Sequence, residues 1–204
     1  MTFPKVHMVG PRTKSFWRAQ LPHWEIDGGS YFVTIRCAGS LPKNIAERAK
    51  TILRDLQEFE PDSEGFLKVQ RRYFQTTEKY LDKGQGFCPF RDSRCCEVIL
   101  EKLEALEGKG WNLRHFAILP NHLHVLMSTT ISADPMKSVW PRWKGITARE
   151  CNRILGRSGP FWQREWFDRW MRDEMNTQKT IKYIRQNPVK AGLVKNWEDY
   201  PWVK

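Results

Sequence analysis

The sequence lacks both the cysteine spacing of a structural metal site and a hydrophobic run long enough to cross a membrane. Its cysteines are odd in number and include no C-x-x-C pair, which argues against a disulfide framework or a zinc ribbon and predicts reduced thiols. They are Cys37, Cys88, Cys95, Cys96 and Cys151. No stretch of about 18 uninterrupted apolar residues occurs, and residues 1–10 contain no signal-peptide core. These absences predict a cytoplasmic protein without a membrane partner.

Acidic residues are scarce relative to basic ones. The chain has 34 Lys and Arg against 23 Asp and Glu, a net charge of +11 and a pI near 9.6, so a polyanionic partner is expected. Nucleic acid is favoured over an anionic membrane because no stretch combines a basic face with an unbroken apolar face. The 204 residues, 40% of them hydrophobic, suffice for one packed core but not for two large domains.

The order of strand and helix patterns predicts the fold class. Predicted strands are residues 30–37, 113–119, 122–128 and 161–171, and predicted helices are 42–60, 92–106, 135–155 and 173–186. The middle strands meet at Pro120-Asn121, so they should form an antiparallel hairpin. With the helix at 92–106 set aside, the order is β-α-β-β-α-β. This predicts an α+β, ferredoxin-like (split β-α-β) antiparallel sheet with helices on one face, plus a C-terminal tyrosine-bearing helix and a helical insertion.

We predict a single domain over residues 1–204 with two irregular parts. Residues 1–29 are polar and basic and are interpreted as an N-terminal arm. Between Pro61 and Phe90 the helical periodicity weakens, and Gly and Pro cluster at 83–89, so a loop is expected there. Residues 61–110 are therefore assigned to an insertion and an extra helix. Pro141 is expected to kink the helix at 135–155 or to delay its start.

Two histidines, His122 and His124, flank one apolar residue at the start of a predicted strand. Because successive side chains of a strand alternate faces, both imidazoles should point the same way. They form a ready metal-binding pair, although on spacing alone a hydrogen-bonded polar surface is the commoner outcome. His23 and His115 have no comparable partner in the sequence.

Tyr183 and Asn187 lie four residues apart in the last predicted helix and therefore on one face. A phenol with a pKa of about 10 is a poor nucleophile at neutral pH, so it needs a cation that favours phenolate and polarises a phosphate. Two imidazoles and an amide oxygen would hold that cation and leave open positions. Imidazole suits zinc, but oxygen ligands and a phosphate favour Mg²⁺ or Mn²⁺. Two structural alternatives stay open: Tyr183 as a packing residue, and an Asn before Pro188 as a helix end.

Residues 119–124 (LPNHLH) and 183–194 (YIRQNPVKAGLV) are the most specific motifs. The first resembles the HUH motif of single-tyrosine transposases, and the second resembles the tyrosine helix of the REP-associated tyrosine transposases. Further matches lie at residues 21–24, 31–34, 143–144, 147–148, 159–165 and 167–168. The resemblance thus covers most of residues 21–194.

The resemblance implies a metal-dependent nuclease and strand transferase that acts on single-stranded DNA beside hairpins of REP-like palindromes. In that family two histidines hold the cation, and the tyrosine attacks the scissile phosphate to leave a 5′-phosphotyrosine link and a free 3′-OH. Carried over by motif, His122 and His124 would be metal ligands, Tyr183 the nucleophile and Asn187 the third ligand. A monomer or a homodimer is expected.

Basic residues are dense in the C-terminal part of the chain, with 15 Lys or Arg against 7 Asp or Glu from residue 137 onward. The predicted DNA-binding residues are Arg142, Lys144, Arg149 and Arg153 on one helix and Lys179 and Arg185 on the last. A solvated face is an equally good interpretation of any one of them. Five tryptophans between residues 140 and 170 offer stacking platforms for unpaired bases, although packing is their commoner role.

Two alternative functions remain at this point. A catalytically inactive or domesticated descendant would bind structured nucleic acid on the same fold without cutting it. A hydrolytic metalloenzyme would use the histidine pair on a small phosphodiester without trapping protein on DNA.

Overall fold

The computed structural model of the chain describes residues 12–204 and contains two antiparallel sheets and five α-helices. The strands are β1 Thr13–Arg18, β2 Pro22–Ile26, β3 Ser30–Arg36, β4 Trp111–Leu119, β5 His122–Thr129 and β6 Phe167–Trp170. The helices are α1 Lys43–Asp55, α2 Glu64–Leu81, α3 Ser93–Glu104, α4 Met136–Ile154 and α5 Glu174–Lys190. Over the described residues, no helix is both long enough and apolar enough to cross a membrane.

The main sheet has the strand order β4-β5-β3-β6, and every neighbouring pair is antiparallel. The path β3-α3-β4-β5-α4-β6 through this sheet is the split β-α-β arrangement. The predicted ferredoxin-like α+β fold is therefore confirmed. The last strand is shorter than predicted, because within residues 161–166 the chain makes only an isolated bridge, between Trp162 and Cys37.

The two faces of the sheet carry different helices. Alternate residues such as Val33 and Val125 pack in one core with Ile99 of α3 and Trp140 of α4. The other face, which includes Phe32, packs with residues of α1, α2 and α5. Helices α3 and α4 thus share one face, as predicted for the two helices of the core. The helix that connects β3 to β4 across this face is α3. The insertion consists of α1 and α2 rather than residues 61–110. The insertion covers the face that carries the paired histidines.

Helix α2 lies where the helical periodicity is weak, and the sequence did not predict it; the loop expected from the Gly and Pro cluster at 83–89 follows it. Its first turn is capped by Ser63, whose hydroxyl accepts a hydrogen bond from the Phe66 amide. The buried positions follow helical spacing, but half of them are polar: Phe66, Gln70, Tyr73, Thr77, Glu78 and Leu81. The sequence did not indicate this helix because its buried stripe mixes polar and apolar side chains, so its hydrophobic periodicity is weak.

The N-terminal part was also mispredicted where the structure describes it. Instead of an irregular arm, β1 and β2 form an antiparallel hairpin, and Trp17 and Trp24 pack against the cores. Residues 1–11 of the predicted arm lie outside the described residues.

Two prolines lie inside helices. Helix α4 begins at Met136, so Pro141 does not delay its start. Helix α5 continues through Pro188 to Lys190, and the prediction that Asn187-Pro188 ends the helix is wrong. Pro188 cannot donate to the carbonyl four residues earlier, yet the next turn forms, with the Ala191 amide donating to the Asn187 carbonyl at 2.9 Å. Asn187 therefore keeps a helical position one turn after Tyr183.

Candidate metal centre and nucleophile

The two predicted histidines lie at the start of β5, beneath α2 and α5. In the sheet register His122 stands opposite Arg36 of β3, and His124 stands opposite Thr34. Both side chains are fully buried, and their ring centroids are 4.8 Å apart. The imidazoles share one face, as strand alternation predicts.

Each imidazole is oriented through its Nδ1 atom. His122 Nδ1 lies 2.8 Å from Asn121 Oδ1, and the Asn121 amide is held in turn by donating to the Gln85 carbonyl at 3.0 Å. His124 Nδ1 lies 2.8 Å from Thr34 Oγ1. Because Asn121 Oδ1 can only accept, Nδ1 of His122 carries the proton and Nε2 carries the lone pair. Burial and the nearby His124 lower the pKa of His122 to about 3, so this ring is neutral, as a metal ligand must be.

Glu78 of α2 joins this pair, and it was absent from the residues that the sequence indicated. Its Oε2 lies 3.0 Å from His124 Nε2. Burial alone would raise the pKa of this carboxyl, but the two imidazoles and the Tyr183 hydroxyl outweigh burial and lower it to about 2. Ligand atoms of Glu78, His122 and His124 all lie within 4.8 Å of one another, close enough to share one cation. The only indication in the sequence is the helical spacing of Glu78 with the buried positions of α2.

Tyr183 reaches the same place from α5. Its hydroxyl donates a hydrogen bond to Glu78 Oε2, and its ring centroid lies 5.3 Å from that of His124. Phe32 and Phe74 each pack against the phenol ring with centroids 5.8 Å away. Burial and the charge of Glu78 raise the pKa of Tyr183 well above its ordinary value, so the phenol is protonated at neutral pH in the protein alone. The structure thus brings the predicted nucleophile and the histidine pair together.

Asn187 lies one turn beyond Tyr183 and is fully buried. Among the described residues, neither its amide oxygen nor its amide nitrogen has a hydrogen-bond partner. The amide is near enough to Tyr183 to lower the pKa of the phenol, although burial and Glu78 have larger effects in the opposite direction. A buried amide without partners costs on the order of 1–3 kcal/mol, so this position favours an additional ligand.

The donor atoms around the histidine pair fit a divalent cation. In the part of the chain that the structure describes, His122 Nε2 and Glu78 Oε1 are buried without a hydrogen-bond partner, and His124 Nε2 has only the Glu78 carboxylate 3.0 Å away. Buried polar atoms in native proteins are normally satisfied, and a cation would satisfy all three lone pairs at once. Two imidazoles and a carboxylate are common ligands of Zn²⁺ and also bind Mn²⁺, so the donor set indicates a divalent ion without specifying which one.

Most residues predicted to contact DNA lie on the opposite side of the sheet. Three of them are exposed on α4: Arg142, Arg149 and Arg153. Lys144 is buried on the same helix, and its ammonium donates to the carbonyls of Gln163 and Arg164 at 2.6 Å each. Burial lowers the pKa of Lys144 to about 8. Lys144 therefore holds residues 163–164 against α4, and the prediction that it contacts DNA does not fit its position.

The two predicted residues on α5 point in different directions. Lys179 is exposed and lines the cleft beside Tyr183. Arg185 is half-buried, and its guanidinium lies 4.9 Å from the ring of Trp197 in the C-terminal segment. Only Lys179 stands next to the nucleophile.

Two open clefts between α2 and α5 meet at Tyr183, and both are lined by Arg71, Phe74 and Tyr183. We call them together the tyrosine cleft. One has a volume of about 360 Å³ and the other about 560 Å³. The cations that line them are Arg71, Lys79, Lys83, Arg169, Arg172, Lys179 and Lys190. Arg71 and Lys79 belong to α2, and sequence reasoning missed them because that helix was not predicted.

A separate buried histidine also differs from expectation. His23 Nδ1 pairs with Asp168 of β6, its Nε2 lies 3.8 Å from Glu165, and its ring stacks on Trp17 at 4.0 Å. Burial alone would lower the pKa of His23, but the two carboxylates raise it to about 9. The sequence did not indicate these two carboxylate partners of His23. This imidazolium ties the N-terminal hairpin to the edge strand, away from Tyr183.

The sheet order, the same-face histidines and the tyrosine on the last helix are the features on which the resemblance to the single-tyrosine HUH transposases rests. A Haemophilus influenzae protein, named provisionally as a REP-associated tyrosine transposase, is 31% identical over 94 residues, which cover 42% of this chain and 53% of that protein. The REP-associated tyrosine transposase of Escherichia coli is 23% identical over 100 residues, which cover 49% of this chain and 58% of that protein. The chain therefore spans about half the length of the curated relatives that it matches.

A solved structure is similar to this chain over most of its fold. The structure of a REP-associated tyrosine transposase bound to a REP hairpin superposes with a TM-score of 0.52 at 17% identity, over 91% of this chain and 82% of that chain. No family model matches the sequence. The chain is a relative of the REP-associated tyrosine transposases, and the resemblance indicated by its motifs is confirmed.

Proposed function

We propose that this chain is a metal-dependent single-stranded DNA endonuclease and strand transferase that nicks and rejoins DNA next to hairpins, as a transposase does. The observation that carries the proposal is the meeting of Tyr183 with the buried histidine pair at the bottom of a basic cleft. A phenol, two oriented imidazoles and surrounding cations are suited to phosphoryl transfer.

Tyr183 is the proposed nucleophile. Its hydroxyl oxygen attacks the scissile phosphorus, a bond from phosphorus to the tyrosine oxygen forms, and the bond to the 3′ oxygen breaks. The proton lost by the phenol is balanced by the proton gained at the 3′ oxygen, so the products are a 5′-phosphotyrosine and a free 3′-OH. The hydrogen bond to Glu78 and the packing of Phe32 and Phe74 hold the ring in place for this attack.

His122 and His124 would hold a divalent cation through Nε2, with Asn187 as the proposed third ligand. When bound, the cation favours phenolate and neutralises charge on the phosphate oxygens. We propose Mg²⁺ or Mn²⁺ because phosphate oxygens would fill the open positions. Asn121 and Thr34 contribute by fixing the orientation of the two rings.

The tyrosine cleft is the proposed path of the unpaired DNA strand. It combines aromatic side chains, on which bases stack, with cations that track the phosphates, the usual combination in single-strand binding. The REP hairpin bound in the solved relative supports a hairpin as the structured part of the substrate.

Covalent trapping tests the proposal. The full chain is mixed with Mn²⁺ and oligonucleotides in which a hairpin is flanked by single strands, taken from the DNA beside its own gene. We expect an adduct that survives denaturing electrophoresis and disappears with chelator. A label 3′ of the cut should travel with the protein, and a label 5′ of the cut should be released on a fragment that ends in 3′-OH.

Other outcomes of this assay would contradict the proposal. Two free DNA fragments without an adduct would identify a hydrolytic metalloenzyme. Equal binding with and without chelator, and no cutting of any oligonucleotide, would identify an inactive or domesticated binding protein.

Removing two cations of the tyrosine cleft should weaken single-strand binding in a salt-dependent way. In a variant that combines Arg71→Ala with Lys179→Ala, we expect the slope of log affinity against log salt to fall by about 0.7 for each lost phosphate contact. The measurement is fluorescence anisotropy with an unstructured oligonucleotide over a salt series. A matched variant with Arg142→Ala and Arg149→Ala, on α4, should change the slope less. A larger loss in the α4 variant would place the strand on the α4 face.

A further inference from the structure

Glu78 is positioned to contact both parts of the proposed site. We infer that Glu78 is a ligand of the divalent cation through Oε1 while its Oε2 holds the hydroxyl of Tyr183. A single carboxylate from the α1–α2 insertion would then join the nucleophile to the metal. The inference deepens the proposed function and rests on it, since it requires a cation at His122 and His124.

The contacts of Glu78 divide between its two oxygens. Oε2 accepts the hydrogen bond from Tyr183 and lies 3.0 Å from His124 Nε2. Oε1 is buried and has no hydrogen-bond partner within residues 12–204. The ligand atoms of Glu78, His122 and His124 lie within 4.8 Å of one another, close enough to bind one cation. A metal ion between them would be bound by Glu78 Oε1 and by the Nε2 atoms of His122 and His124.

The charge of Glu78 supports the same assignment. The side chain is 4% exposed, and a buried carboxylate is ordinarily paired with a cation or bound to a metal. The polar groups that contact it are the imidazole of His124 and the hydroxyl of Tyr183. Lys190 of α5 is paired with Asp82 at 2.5 Å. A divalent cation bound by the two imidazoles would pair with the buried carboxylate of Glu78.

A carboxylate that bridges a metal and a phenol would act on the nucleophile in two ways. It would fix the distance between the tyrosine oxygen and the cation, because both are bound to the same rigid group. It would also leave Asn187 as a further ligand rather than a required one. Metal binding by His122 and His124 and the position of Tyr183 would thus depend on a residue from a third part of the chain.

Mn²⁺ binding measured without DNA tests the inference. Isothermal titration calorimetry, with the electron paramagnetic resonance signal of free Mn²⁺ as a second readout, is applied to the wild type and to Glu78→Gln. Glutamine keeps the size of the side chain and an acceptor for Tyr183, but it lacks the charge. We expect a loss of Mn²⁺ affinity of at least about 10-fold. Asp82→Asn, the same change one turn further along α2, should retain nearly wild-type affinity.

Thermal unfolding shows that the variant is folded. In chelator, Glu78→Gln should melt no lower than the wild type, because it removes a buried charge, and Mn²⁺ should raise its melting temperature less than that of the wild type. If Glu78→Gln does not fold, Glu78→Asp is measured instead, since it keeps the charge but is shorter by one methylene. Weaker Mn²⁺ binding by that variant supports the inference, and wild-type affinity overturns it.

The outcomes separate the inference from the proposed function. Wild-type Mn²⁺ affinity in Glu78→Gln, together with loss of binding in His122→Ala, would overturn only the role of Glu78. Absence of Mn²⁺ binding by the wild-type protein would overturn the metal-dependent function as well.

Discussion

Replacing Tyr183 by Phe is expected to abolish the covalent protein–DNA adduct while DNA affinity stays near that of the wild type. The phenol oxygen is the only atom lost, and it is the proposed attacking atom, so the adduct should fall by at least about 10³-fold. The Phe ring retains the contacts with Phe32 and Phe74 that hold the residue in the cleft. Adduct yield is measured by denaturing electrophoresis, and affinity is measured by anisotropy in chelator.

Tyr200→Phe provides the matched control. The Tyr200 hydroxyl donates to the Ile118 carbonyl at 2.8 Å, so this variant loses a hydrogen bond of similar kind at a distance from the histidine pair. Its adduct yield should equal that of the wild type. An adduct that persists in Tyr183→Phe would mean that another residue attacks the phosphate.

Replacing His122 by Ala is expected to remove metal binding and DNA cleavage together. The Nε2 of His122 is buried without a hydrogen-bond partner, and its ring is neutral, so it is available to bind a cation. Loss of a metal ligand should cost more than loss of a residue that merely orients one, so we expect Mn²⁺ affinity to fall by more than about 100-fold. Calorimetry measures the affinity, and the trapping assay measures cleavage at saturating DNA.

His115→Ala is the matched control for this change. His115 lies on the neighbouring strand β4, and its Nδ1 contacts the Lys204 carbonyl at 3.0 Å, away from Tyr183. This variant should bind Mn²⁺ and form the adduct like the wild type. Cleavage that survives in His122→Ala would contradict the assignment of His122 as a ligand, whatever its effect on stability.

The parts of the site that follow a strict sequence period were predictable. His122 and His124 share a face because a strand has a period of two, and Tyr183 and Asn187 share a face because a helix brings residues four apart together. The sequence could not place β5 against α5, since that distance depends on how the last helix crosses the sheet. The family resemblance led to the expectation that Tyr183 lies beside the histidine pair. The contact between Tyr183 and His124 in the structure supports this expectation.

The parts that the sequence did not predict belong to α2. Gln70, Thr77 and Glu78 occupy buried positions that in an ordinary helix would be apolar, and this weakens the hydrophobic periodicity. These polar residues make the helix difficult to predict, and one of them, Glu78, lies in the site. The position of Lys144 could not be predicted for a related reason, because nothing in its sequence context shows that two main-chain carbonyls bind its ammonium.

The loop that follows α2 also supports the turn between β4 and β5. Gln85 in this loop holds the Asn121 amide that orients His122. At the neighbouring Gly86, φ is +77°, and a Cβ would come within 2.3 Å of the Gly39 carbonyl, so only glycine fits there.

Insertions and deletions should therefore be tolerated unequally at the two ends of α2. A change of chain length between residues 82 and 92 would displace Glu78 on one side and the Asn121 support of His122 on the other. Residues 57–62, at the opposite end of the helix, are exposed and make no contact with the histidine pair. Among related chains, variation in length should concentrate there, and the connection after α2 should keep its length.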